Sequence, residues 1–138
     1  MRRLIRGLAE PLPKADRCYA LGQMVRRHID RWPGAERIAV VASGSFSLEV
    51  GGPKMGWIDQ EWVDFVIDRM RQGNTADLLR RATSKRMRTA GNTGGELLDW
   101  IAVLGVLGGR DATFIEPDSQ PPEAPRDAHA YAVWKLDQ

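Results

Sequence analysis

The sequence predicts an α/β fold: a single domain with a mixed or mostly parallel sheet flanked by helices. Three observations point there. Cys18, Leu21, Val25, Ile29 and Trp32 recur at helical spacing and lead into the apolar run Ile38-Ala39-Val40-Val41-Ala42. That run is rich in β-branched residues and is followed by Gly44, as expected of a buried strand. At 138 residues with 43% hydrophobic residues, the chain is long enough for one core and short for two.

The elements follow in order. Residues 1–14, with Pro11 and Pro13, read as an extended lead-in, and residues 15–138 as the folded part. Pro33-Gly34 ends the first helix, and Arg37 to Ser43 is expected as the strand. The stretch from Gly44 to Gly56 holds four glycines and one proline, too many for regular structure. It leaves the C-terminal end of the expected strand, where open α/β sheets place ligands. Asp59 suits an N-cap for a helix carrying Trp62, Phe65, Val66 and Met70 on one face and Asp64 and Asp68 opposite. A shorter helix is expected from about Thr75 to Ala82. Gly91-Asn92-Thr93-Gly94-Gly95 breaks the chain again, and Glu96 to Leu107 reads as a helix apolar around most of its circumference, hence interior. Asp111 to Ile115 and Ala128 to Leu136 are expected strands, joined by a surface linker with four prolines between Pro117 and Pro125. No internal repeat is present.

Charge and cysteine content narrow the function classes. Lys+Arg 20 against Asp+Glu 18 leaves a net charge of +2, too small a field to select polyanions, so nucleic acid is not the expected partner. Arg2, Arg3 and Arg6, and Arg80, Arg81, Lys85, Arg86 and Arg88, read as solvated faces. Cys18 is the single cysteine, which rules out an internal disulfide or a cysteine-based zinc site and fits a reducing cytoplasm. Arg6 and Gly7 interrupt the Leu4 to Leu8 stretch, so a signal-peptide core is lacking, and no run is long enough to span a membrane. The expectation is a soluble, cytoplasmic protein.

Glu96 is the first chemical candidate. Trp100, Val103 and Leu107 follow it at four, seven and eleven residues, which places the carboxylate on an apolar stripe. A buried carboxylate calls for a metal, an arginine or a cluster of backbone amides. By periodicity alone, its place near a helix N-terminus accounts for it through the helix dipole. The loop Gly44-Ser45-Phe46-Ser47-Leu48-Glu49-Val50-Gly51-Gly52-Pro53 has glycines for close backbone approach and hydroxyls on Ser45 and Ser47. Its spacing matches no phosphate-binding fingerprint. His28 and His129 have no ligand partner at metal-binding spacing and read as ordinary structural histidines. Ser45 and Ser47 have no histidine nearby in sequence, so a serine hydrolase carries little weight.

Taken together, Arg37-Ile38-Ala39-Val40-Val41-Ala42-Ser43-Gly44-Ser45-Phe46-Ser47 and Ala90-Gly91-Asn92-Thr93-Gly94-Gly95-Glu96-Leu97-Leu98-Asp99-Trp100 resemble the catalytic subunit of the class III extradiol ring-cleavage dioxygenases, the LigB superfamily. Arg17-Cys18-Tyr19-Ala20-Leu21-Gly22 and Ala130-Tyr131-Ala132-Val133-Trp134 fit the same order. The resemblance implies the C-terminal half of a larger α/β fold. It implies a non-haem Fe(II) held by two histidines and a glutamate, with Glu96 as the glutamate, and a catecholic ring cleaved with dioxygen beside it. It also suggests Ser45, Phe46 and Ser47 as substrate contacts. Two departures matter. The family's iron-binding histidines lie in an N-terminal half with no counterpart here, so iron is expected only when that half, or a partner subunit, completes the site. The glycine-rich motif of the family ends in Ser-His, whereas Leu48 follows Ser47, so that proton transfer is expected either to be missing or to move to another residue, with Glu49 the candidate by adjacency. Two readings follow: an incomplete half of a dioxygenase contributing the carboxylate, inactive alone, or a noncatalytic binding module that kept the fold. Both predict a large apolar surface where the missing half would pack, so that the isolated chain is expected to form homo-oligomers or aggregate.

Overall fold

The computed structural model describes residues 13–108, 110, 114–117 and 130–134. Helix α1 spans Ala15–Ile29, with Asp16 in its first turn and Arg26, Arg27 and His28 in its last, each charge suited to its end of the helix dipole. Helix α2 spans Gln60–Arg71 and begins where the Asp59 carboxylate accepts the Trp62 N–H at 3.1 Å. The turn after it leads through Asn74, whose side chain caps α3, Thr75–Arg81. Thr83 likewise caps α4, Ser84–Thr89, by accepting the Arg86 N–H at 3.1 Å.

A single 3-10 turn, Gly94–Glu96, leads into α5, Leu97–Leu107, which Gly108 closes in the left-handed conformation at φ 68°. Nine of the eleven α5 residues are buried, as the all-round apolar sequence requires. Helix α5 crosses α1 where two glycines meet. A Cβ on Gly22 would run into the Ala102 carbonyl and sit 2.9 Å from the Gly105 Cα, and a Cβ on Gly105 would run into the Tyr19 carbonyl. Around this crossing, Trp62, Val66, Leu78, Met87, Leu97, Ile101 and Leu104 share one core. Strands β1, Phe114–Pro117, and β2, Ala130–Val133, pair antiparallel, Phe114 opposite Val133 and Pro117 opposite Ala130.

The fold class differs from the expectation. Among the described residues the chain is mostly helical, its strands are the four-residue β1 and β2, and their pairing is antiparallel, so a mixed or mostly parallel sheet flanked by helices is not what this chain builds. The expected strand at Arg37 to Ser43 is the reason. Among the described residues its backbone has no hydrogen-bond partner and no strand pairs with it, and Val41 is 85% exposed. An apolar β-branched run reads the same whether or not the chain supplies a partner for it. Helices α1, α2, α3 and α5 lie close to where their spacing put them, whereas α4 has no apolar period to announce it. The N-terminal lead-in up to residue 12 and the proline-rich linker beyond Pro117 lie outside the described residues. No helix among the described residues is long and apolar enough to cross a membrane.

Candidate functional site

The two sequence blocks that carry the resemblance, separated by some fifty residues, lie against each other. The loop from Gly44 to Val50 runs along the turn from Ala90 to Glu96 and is fastened to it at nearly every residue. The Ser45 N–H donates to Glu96 Oε2 at 2.8 Å, and the Trp100 Nε1–H donates to the Gly44 carbonyl at 3.0 Å. The Leu48 carbonyl accepts both the Thr93 N–H, at 3.2 Å, and the Thr93 hydroxyl, at 2.9 Å. Asn92 bonds Val50 in both directions, accepting its N–H at 3.0 Å and donating to its carbonyl at 2.8 Å, as a paired strand residue would. Glycines make this approach possible. A Cβ on Gly44 would lie 2.6 Å from the Glu96 Cβ, and one on Gly91 would overlap the Leu48 carbonyl.

Glu96 therefore sits half-buried at the entrance to α5, with Oε2 held by a backbone amide. Its other carboxylate oxygen has no hydrogen-bond partner among the described residues. Phe46, next to Ser45 in the loop, is fully buried and packs edge-on against Trp100, ring centroids 5.0 Å apart.

The remaining sequence candidates are placed as follows. Ser47 is fully buried; its hydroxyl donates to the Ala90 carbonyl and accepts the Asp59 N–H at 2.7 Å, so it joins three segments of backbone. The Ser45 side chain is buried, and its oxygen accepts the Ser47 N–H at 3.3 Å. Leu48 is half-buried. Glu49 accepts the Asn92 N–H on Oε2 at 2.9 Å. His28 is exposed on α1, and His129 lies outside the described residues.

Sequence reasoning passed over three residues that build the site. Asn92 and Thr93 lie in the glycine-rich break and in the second block of the resemblance without a role of their own, although an asparagine beside a glycine turn is a common backbone mimic. Asp59 was read only as a cap, yet it also binds Arg86 at 2.7 Å, and that guanidinium lies 4.5 Å from the Trp62 ring centroid. Burial alone would raise the Asp59 carboxyl; the Arg86 hydrogen bond, the Trp62 N–H and the Arg86 charge outweigh it and hold the group below the usual carboxylate range. No signal in the sequence pairs residues 59 and 86.

The donor set bears on metal chemistry. Among the described residues no three His, Cys, Asp or Glu side chains converge into a group that could hold a metal ion.

Residues 4–123 match the family described as the catalytic LigB subunit of aromatic ring-opening dioxygenase. The chain belongs to this family. Over 98 residues it is also 35% identical to gallate dioxygenase of Pseudomonas putida, a match that covers 70% of this chain and 28% of that enzyme. The match thus spans well under two thirds of that relative's length, and residues 4–123 include both blocks that pack around Glu96.

Proposed function

We propose that this chain is part of a non-haem Fe(II) extradiol dioxygenase that opens catecholic aromatic rings, and that it contributes the carboxylate ligand, Glu96. The observation that carries the reading is the Glu96 carboxylate, fixed by the Ser45 amide on one oxygen and unengaged on the other, between the two blocks typical of the family. The other ligands come from polypeptide beyond these residues, either a longer form of the chain or a partner subunit.

The roles of the chain's own residues follow. Ser45 orients the carboxylate through its N–H, and Gly44 lets the loop reach it. Phe46 and Trp100 pack the loop against α5. With the site completed, Glu96 would be one of the groups holding the metal, which would supply Lewis-acid activation of a catecholic substrate towards dioxygen. Ring contacts fall to the Gly44 to Ser47 backbone more than to the Ser47 hydroxyl, which is already committed on both sides. Proton transfer falls to Glu49 only when its carboxylate leaves the Asn92 amide.

A second reading, a noncatalytic binding module, draws on Leu48, which offers no proton where an acid/base group is wanted. Iron content and catechol-dependent oxygen uptake separate the two. The 138-residue chain, given Fe(II) anaerobically, is expected to hold no stoichiometric iron and to show no uptake. Assembled with the polypeptide that completes it, the wild type is expected to bind iron and turn over, and Glu96→Ala to lose at least about tenfold in iron affinity. Equal iron binding by the two assemblies removes Glu96 from the site, and turnover by the chain alone overturns its incompleteness.

A further inference from the structure

The contact between the two blocks closes into a ring. The loop from Ser45 to Leu48 and the turn from Thr93 to Glu96 are each four residues long, and they are joined at both ends. At one end the Ser45 N–H reaches Glu96 Oε2 at 2.8 Å. At the other, the Leu48 carbonyl accepts the Thr93 hydroxyl at 2.9 Å and the Thr93 N–H at 3.2 Å. The turn is itself fixed, because the Glu96 N–H donates to the Thr93 carbonyl at 2.9 Å.

The two ends differ in what holds them. The Ser45 end depends on a glutamate side chain, whose rotatable bonds let it drift to another rotamer when the amide moves. The Leu48 end sets where that amide lies, and the shorter of its two bonds comes from a side chain, the Thr93 hydroxyl. That hydroxyl has a local alternative. Thr93 stands at the N-cap of the 3-10 turn, where a threonine ordinarily accepts an N–H of the turn that follows, yet no such bond is made. Instead it donates to the loop, 45 residues away in sequence. At 8% exposure, the side chain leaves little room for water to replace the bond. The Ser47 hydroxyl offers no substitute, being bound outside the ring to Ala90 and Asp59.

We propose that Thr93 is a positioning residue for Glu96: its hydroxyl holds the loop in the register at which the Ser45 amide fixes the carboxylate. A carboxylate held by one oxygen presents the other in a single orientation, and hydrogen bonds one step behind a ligand govern how that ligand is aimed. The purpose of the positioning rests on the reading of Glu96 as a metal ligand; its geometry does not.

Amide NMR spectra of the 138-residue chain test the assignment. The Ser45 amide proton is expected at low field, as a donor to a carboxylate, and is expected to move on Glu96→Gln. Thr93→Val removes the hydroxyl and nearly keeps the shape. It is expected to move the Ser45 amide proton to higher field and to speed its exchange with solvent at least about tenfold, while the Leu104 amide within α5 keeps its protection. Thr93→Ser, which retains the hydroxyl, is expected to restore both position and rate. A threonine that merely props the fold would behave differently, with Ser45 and Leu104 losing protection together. That outcome overturns the proposal, as does a Ser45 amide indifferent to Thr93→Val or to Glu96→Gln, or one that Thr93→Ser fails to restore. The ligand reading fails separately: equal iron binding by the assembled wild type and Glu96→Ala forms, beside a Ser45 amide that follows Thr93, removes the metal and leaves the ring.

Discussion

Asp59 caps α2, takes a hydrogen bond from Arg86 and sends its own N–H to Ser47, so one residue ties the helix to the loop that carries the site. Its carboxyl is held low in the folded chain. A group that binds its proton less readily folded than unfolded stabilises at pH above its unfolded value, and the contribution is lost as pH falls through the folded value. Melting temperature followed from neutral pH down to about pH 3 is therefore expected to drop less steeply in Asp59→Asn than in the wild type, across the range where a free aspartate titrates. Parallel curves would sink the assignment. Asp59 was readable as a cap because capping is local, three residues from donor to acceptor. Its pairing with Arg86 was not, because the geometry of α4 sets it. Glu96 was readable as a carboxylate in need of a partner, but the partner, a backbone amide 51 residues away, carries no side-chain signature in sequence.

Among the elements, α1 and α5 depend on each other through Gly22 and Gly105. Alanine in place of a helical glycine normally gains about 1 kcal/mol of helix propensity. Here the added Cβ meets the backbone of the facing helix, which cannot turn aside, and overpacking of this kind typically costs about 1–3 kcal/mol. Gly22→Ala is expected to lower the melting temperature in spite of its better propensity, and an unchanged or raised value would show that the helices part at no cost. Helical periodicity located both helices but said nothing of the crossing, since a glycine reads as a weak helix former until the opposing carbonyl is known. The run at Arg37 to Ser43 shows the converse. Its β-branched composition predicts a strand, yet the run forms none, because composition sets a preference and only a neighbouring strand sets pairing.

The buried apolar side chains of the described residues form one cluster from α1 to α5, so these helices share a single core. Leu104 is buried within it, and Leu104→Ala is expected to cost about 2–5 kcal/mol, a large share of a domain's usual 5–15 kcal/mol. Denaturant curves read by circular dichroism and by tryptophan fluorescence are expected to shift together; separate midpoints would mean that the site loop and the helices melt independently. Membership of the ring-opening dioxygenase family was readable from two short blocks, because their spacing through the chain is itself information. The architecture was less so, since this segment matches 28% of its relative and the physics of a sheet needs strands that a segment need not contain. Trp100 meets Phe46 in an edge-to-face contact, its N–H is tethered to Gly44, and it lines the cavity beneath residues 37–42. In a variant that keeps Trp100 alone of the five tryptophans, its emission colour is therefore a built-in optical gauge of the packing between the site loop and α5, with no dye attached.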